Sequence, residues 1–103
     1  VRISFENEEL REICLKSEVA ANYLDIHSSE NLKTRLSELR SAENFQEEVI
    51  NYYIQEQVEG KLYKIDLGKF NLYLVPVNKP LHFDEAGKLI RSHVTRLKVV
   101  DIK

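Results

Sequence analysis

"YKIDLGKFNLYLVPV" spans residues 63–77, with apolar residues alternating on both sides of Gly68–Lys69. A turn with glycine at its first central position takes a positive φ without strain, which suits a tight hairpin. That turn pairs Leu67 with Phe70, Ile65 with Leu72 and Tyr63 with Leu74 on one face. The other face pairs Asp66 with Asn71 and Lys64 with Tyr73, with Leu62 and Val75 at the far end. Apolar meets apolar and polar meets polar, as a correct register requires.

Upstream, VRISF (1–5) sets Val1, Ile3 and Phe5 against Arg2 and Ser4, a period-two strand. Asn7 is placed to cap a helix whose first turn carries Glu8 and Glu9 and whose apolar stripe is Leu10, Ile13 and Cys14. Residues 18–24 continue it or form a second short turn. Ser28 or Ser29 is the expected cap of the clearest helix, with Leu32, Leu36 and Leu39 on its buried stripe and Lys33, Glu38 and Arg40 on its wet side. In 43–58, Phe45, Val49 and Tyr53 allow a helix, while VINYYIQ also has strand propensity; a helical turn to about residue 50 is favoured and the rest stays open. Downstream, residues 78–92 hold Pro80, Gly87 and several charges and read as a long exposed loop. VTRLKVVDIK (94–103) is a last strand, with Leu97 and Val99 on one side and Arg96 and Lys98 on the other. The expected order is β-α-α-β-β-β, one α+β domain over residues 1–103 with two helices on one face of a small, mainly antiparallel sheet.

A chain of 103 residues is long enough for one core. No apolar run approaches the ~20 residues that span a bilayer, and the first residues do not read as a signal peptide. With one cysteine, Cys14, no internal disulfide forms, which fits a reducing, cytoplasmic setting. The net charge of −2 argues against a generic nucleic-acid binder, though it allows a local basic patch.

The sequence has no glycine-rich phosphate loop, no Cys/His metal spacing and no Gly-x-Ser-x-Gly elbow, so no cofactor or metal is expected. His27, His82 and His93 read as separate solvated histidines, Cys14 as a buried inert thiol, and Glu47, Glu48, Glu56 and Glu59 as wetted surface. What remains is the polar sheet face: Lys64, Asn71, Tyr73, Arg96 and Lys98 from three strands. An antiparallel sheet can simply leave such a face to water. Alternatively, its cations hold a phosphodiester and stabilise charge developing at phosphorus, while the aromatic stacks on a base. The residues fit both readings.

The order of these elements resembles the RelE-superfamily toxins of toxin–antitoxin pairs, most closely the HigB or plasmid maintenance killer branch. "ISFENEELREI" is similar to that branch's opening strand and helix, and "NLKTRLSELRSAENFQEEV" to its second helix and following turn. "GKLYKIDLGKFNLYLV" resembles the family's glycine–Tyr–x–Ile hairpin with an aromatic–Arg after the turn, and "PLHFDEAGKLIRSHVTRLKVVDI" an insertion and last strand of one subgroup. The resemblance implies a cytoplasmic, ribosome-dependent endoribonuclease (an mRNA interferase) neutralised by a small antitoxin, expected to be of helix-turn-helix type. It implies attack of a ribose 2′-OH on the adjacent phosphate, assisted by basic and aromatic side chains. Carried onto this chain, the catalytic set is Lys61, Tyr63, Lys64, Asn71 and Arg96, with Lys69, Tyr73 and Lys98 binding RNA and no cofactor required. Asn71 stands where the family has arginine; losing that charge costs roughly 3 kcal/mol, on the order of a hundredfold in rate. The family chain also runs on past "VVDIK" to an Asp-Tyr-His segment, which is either trimmed or lacking here. A weakened nuclease, a non-enzymatic antitoxin-binding member and a ParE-type gyrase poison are therefore the expectations to weigh.

Overall fold

The hairpin around Gly68–Lys69 has the expected register. In a computed structural model that describes residues 1–58 and 61–103, β3 (Leu62–Asp66) and β4 (Asn71–Pro76) pair antiparallel through Tyr63–Leu74, Lys64–Tyr73, Ile65–Leu72 and Asp66–Asn71. Gly68 takes φ +119° at the turn, which the Leu67 N–H closes by donating to the Phe70 carbonyl at 2.9 Å. Tyr63, Ile65, Leu67, Leu72 and Leu74 are buried and Phe70 is half-buried, its ring tilted against Tyr23 at 6.1 Å.

The sheet has five strands, β1 (Arg2–Phe5), β2 (Ile54–Val58), β3, β4 and β5 (Arg96–Ile102), in the order β1-β5-β4-β3-β2. Only β1 and β5 run parallel. Strand β2 is the element left open in the sequence: it adds an outer edge beside β3, and four of its five residues are exposed. Between Tyr73 and Leu74 the β4–β5 register slips, leaving Val100 unopposed. This bulge reverses the alternation, so Asp101 stands beside Tyr73 on the outer side while Ile102 turns inward and is buried.

Four helices, not two, precede β2: α1 (Glu8–Leu15), α2 (Ser17–Tyr23), α3 (Ile26–Ser41) and α4 (Glu48–Asn51). The Asn7 side chain caps α1, accepting from the Leu10 N–H at 2.9 Å. Lys16 is extended (φ −117°, ψ 114°) and separates α1 from α2. The cap of α3 is Asp25, whose carboxylate accepts from the Ser28 N–H at 3.2 Å. Ser28 therefore lies inside the helix, fully buried, and the expectation of a serine cap is corrected. Leu10, Ile13, Ala20, Leu24, Leu32, Leu36 and Leu39 form one core with the inner residues of the sheet.

Residues 78–90 form an exposed arm folded on itself at the Phe83–Leu89 bridge, followed by a short 3-10 turn at Arg91–His93. The arm brings His82 and His93 together, ring centroids 5.2 Å apart, where the sequence suggested separate histidines. Arg91 anchors it: the guanidinium donates to Asn51 Oδ1 at 2.8 Å and to the Phe45 carbonyl at 3.0 Å. It lies 5.0 Å from the Phe45 ring centroid, and burial lowers its pKa. Glu59, expected to be wetted surface, and Gly60, which opens the GKLYKIDLGKFNLYLV stretch, lie outside the described residues. Among the described residues no helix is long and apolar enough to cross a membrane.

Candidate functional site

Because inner and outer residues alternate, the helices pack on one side of the sheet and the other side carries mainly polar residues, with Val75 and Val77 among them. One lateral line on that side runs Gln55, Lys64, Tyr73, Asp101 across β2, β3, β4 and β5. A second runs Val75, Lys98, Ser4 across β4, β5 and β1. Beyond it Arg96 and Arg2 stand side by side, with Val77 next to them on the extension of β4, its N–H donating to the Arg96 carbonyl at 3.0 Å.

At the hairpin end the half-buried Tyr73 presents its ring to Lys103, whose Nζ lies 5.5 Å from the ring centroid and 3.5 Å from Asp101 Oδ2. Asn71 exchanges backbone hydrogen bonds with Lys103 and also donates from its side-chain amide to the Lys103 carbonyl at 3.4 Å. Asp66, opposite Asn71, accepts from the Gly68 N–H at 2.7 Å. Lys98 is paired with Glu6 at 2.8 Å. Lys64, Arg96 and Arg2 form no ion pair among the described residues.

The residues drawn together by the sequence reading divide into three groups. Lys64, Asn71, Tyr73, Arg96 and Lys98 share the outer face. Lys61 and Lys69 lie at opposite ends of β3, which a strand rise of ~3.3 Å per residue separates by roughly 20 Å. The Lys69 N–H donates to Ser28 Oγ at 3.3 Å, and its charge helps lower the pKa of Asp25, an effect led by the Ser28 hydrogen bond. Tyr63 is on the inner side, fully buried, edge-on to Phe45 at 4.9 Å, with its hydroxyl donating to Glu56 Oε2 at 3.0 Å. The hairpin register itself requires this, since Tyr63 shares a face with Ile65 and Leu67.

Arg2, Lys103 and Asp101 belong to the polar face but were not among the expected site residues. The alternation of VRISF already put Arg2 on the side away from Ile3, whereas Asp101 reaches the outer face only through the bulge. Among the described residues no group of three or more His, Cys, Asp or Glu is placed to hold a metal ion. Comparison with protein-family models, curated protein sequences and solved structures gave no match. The chain is an α+β domain with a bare, predominantly cationic sheet face carrying one central aromatic.

Proposed function

We propose that this chain is the toxin of a type II toxin–antitoxin pair, of the RelE superfamily and nearest its HigB branch, cleaving mRNA on the ribosome in the cytoplasm. The observation that carries the reading is the outer sheet face, where Lys64, Tyr73, Lys98 and Arg96 share one side of three adjacent strands. Tyr73 offers a ring on which a base stacks. Lys64 beside it supplies the positive charge that phosphoryl oxygens require as the 2′-OH attacks. Rigid strands hold these groups, so little reorganisation accompanies the reaction.

The test is induction of the full natural chain in a bacterial host, together with mapping of mRNA ends in a purified translation reaction. Growth arrest and ribosome-dependent cuts are expected, both reduced about tenfold by Lys64→Ala, since one charge-assisted contact contributes about 1.5–3 kcal/mol. Tyr73→Ala should reduce them about as much, since a base–aromatic stack contributes about 1–3 kcal/mol. Arrest with intact mRNA and inhibited DNA supercoiling would instead assign a ParE-type action on gyrase.

A second reading, a non-enzymatic member that only binds its antitoxin, is favoured by one observation: the Asn71 side chain is turned to the Lys103 carbonyl and brings no charge. Co-purification with the product of a neighbouring small gene, without arrest or cleavage, selects it.

A further inference from the structure

We infer that Arg2 and Arg96 form a phosphodiester-binding clamp for the backbone of single-stranded RNA, at the end of the polar face away from the Asn71–Tyr73 hairpin end. The inference rests on the RNA-directed reading above and extends it to a subsite. Arg2 and Arg96 are partners in the parallel β1–β5 register, so their Cα atoms sit one strand spacing apart, about 4.8 Å. Both side chains are exposed and point to the same side, because Ile3 and Leu97 between their neighbours turn inward.

Like charges set side by side on a sheet repel and lower stability. This sequence nevertheless places two arginines there, and among the described residues neither has a carboxylate within 4 Å. An anion between them turns the repulsion into two attractions, and a guanidinium's planar fork matches phosphate oxygens.

The surroundings are shaped for such a ligand. Arg2, Ser4, Val77 and Arg96 line a cleft of about 280 Å³. It adjoins a second, of about 540 Å³, in which Asn78, Lys79 and Thr95 join Val77 and Arg96. The two share Val77 and Arg96, so a strand leaving the clamp meets Lys79, a third cation without an ion pair among the described residues. The wall is fixed by Asn78, whose Oδ1 accepts from the Thr95 and Arg96 N–H groups at 3.0 Å each and whose amide donates to Thr95 Oγ1 at 3.0 Å. Nothing in this arrangement reads bases, so the clamp positions RNA without selecting sequence.

The experiment is binding of a fluorescent single-stranded RNA of mixed sequence to the whole protein across a salt series. It compares the natural chain with Arg2→Gln, Arg96→Gln, the double variant, and Arg2→Lys/Arg96→Lys. Each phosphate contact on a single strand contributes about 0.7 to the slope of log K against log salt. The double Gln variant, which removes the one phosphate contact, should therefore lower the slope by about 0.7 and each single variant by less, while the lysine pair keeps most of it. Matching thermal melts show that the fold persists. RNA bound with an unchanged slope in the double Gln variant overturns the clamp but leaves the toxin reading standing. A slope that falls as expected in a protein that neither cleaves mRNA nor arrests growth upholds the clamp and removes the nuclease. No RNA binding by the natural chain overturns both.

Discussion

The side-chain amide of Asn31 donates a 2.8 Å hydrogen bond to the Leu67 carbonyl, tying α3 to the tip of the β3–β4 hairpin. One turn earlier on the helix, the buried Ser28 hydroxyl accepts the Lys69 N–H at 3.3 Å. The turn between them is tight, since a Cβ on Gly68 would meet His27 Cδ2 at 3.1 Å and Ser28 Oγ at 3.3 Å and push these side chains back by a few tenths of an ångström. The hairpin that carries Lys64 and Tyr73 is thus held at its tip by a polar clasp as well as along its length by the core.

Loosening that clasp should cost stability. Asn31→Ala leaves the Leu67 carbonyl without this partner, and an unmet buried acceptor costs about 1–3 kcal/mol. Gly68→Ala combines the close contacts with a positive φ that L-residues avoid, for a loss of at least about 1 kcal/mol. Urea denaturation of both variants checks this; midpoints unchanged from the natural protein would mean that the clasp is not formed in solution.

Tyr63 and Tyr73 lie on opposite sides of the sheet, and their substitutions should separate fold from function. Tyr63→Phe removes the hydroxyl bond to Glu56 and should lower stability by about 0.5–1.5 kcal/mol while leaving RNA binding and cleavage near natural levels. Tyr73→Ala should keep the fold but weaken RNA binding by about 1–3 kcal/mol, the value of a base–aromatic stack. Loss of cleavage in Tyr63→Phe with unchanged stability would return that hydroxyl to the reaction.

The hairpin was legible because its alternation, its turn glycine and its apolar pairs all agree on one register. Tyr63 shows the limit of reasoning by resemblance: the same register that paired it with Leu74 already placed it inside, yet the family pattern drew it into the site. Strand β2 was not legible, since Ile54–Val58 forms an outer edge with most residues exposed and thus carries little apolar alternation. Ser28 misled as a cap because its hydroxyl serves the hairpin tip, a contact 41 residues away in the chain. The His82–His93 pair and the Arg91 anchor likewise depend on how the 78–90 arm folds back, which local composition does not encode. The resemblance to a toxin family could name a chemistry, but only the placement of side chains divides its residues between face, core and turn.

Cys14 should react slowly and set an alkaline limit. Burial raises its pKa from 9.0 to about 12, outweighing the opposing pull of Arg40. At pH 8 its thiolate fraction, and so its alkylation rate by iodoacetamide, should be about a thousandfold below that of an unperturbed thiol. The folded pKa is raised, so the linked stability is fully present below pH 9.0 and is lost as pH rises toward about 12. Cys14→Ala should flatten that part of the stability profile. Labelling at the rate of a free cysteine under native conditions would show the thiol to be accessible and ionisable.

Asn71→Arg addresses the activity most directly. The residue lies on the outer face, one position from the buried Leu72 and opposite Asp66, at the point where the resemblance leads one to expect an arginine. On the proposed reading, arginine there adds a charge near the phosphate that Lys64 would face, and should increase ribosome-dependent cleavage or growth arrest by about tenfold or more. Asp66 stands across the strand pair and would compete for the new guanidinium. Asp66→Asn keeps an Oδ1 acceptor for the Gly68 N–H while removing the charge, so Asn71→Arg/Asp66→Asn should exceed the single variant. Stability should change by no more than about 0.5 kcal/mol, as for most outer-face substitutions. Arg96→Ala and Lys98→Ala should lower activity in the same background without unfolding the domain. If neither arginine variant raises cleavage or arrest above the natural chain while both remain folded, the face is not poised for RNA chemistry. The antitoxin-binding, non-enzymatic reading then takes its place.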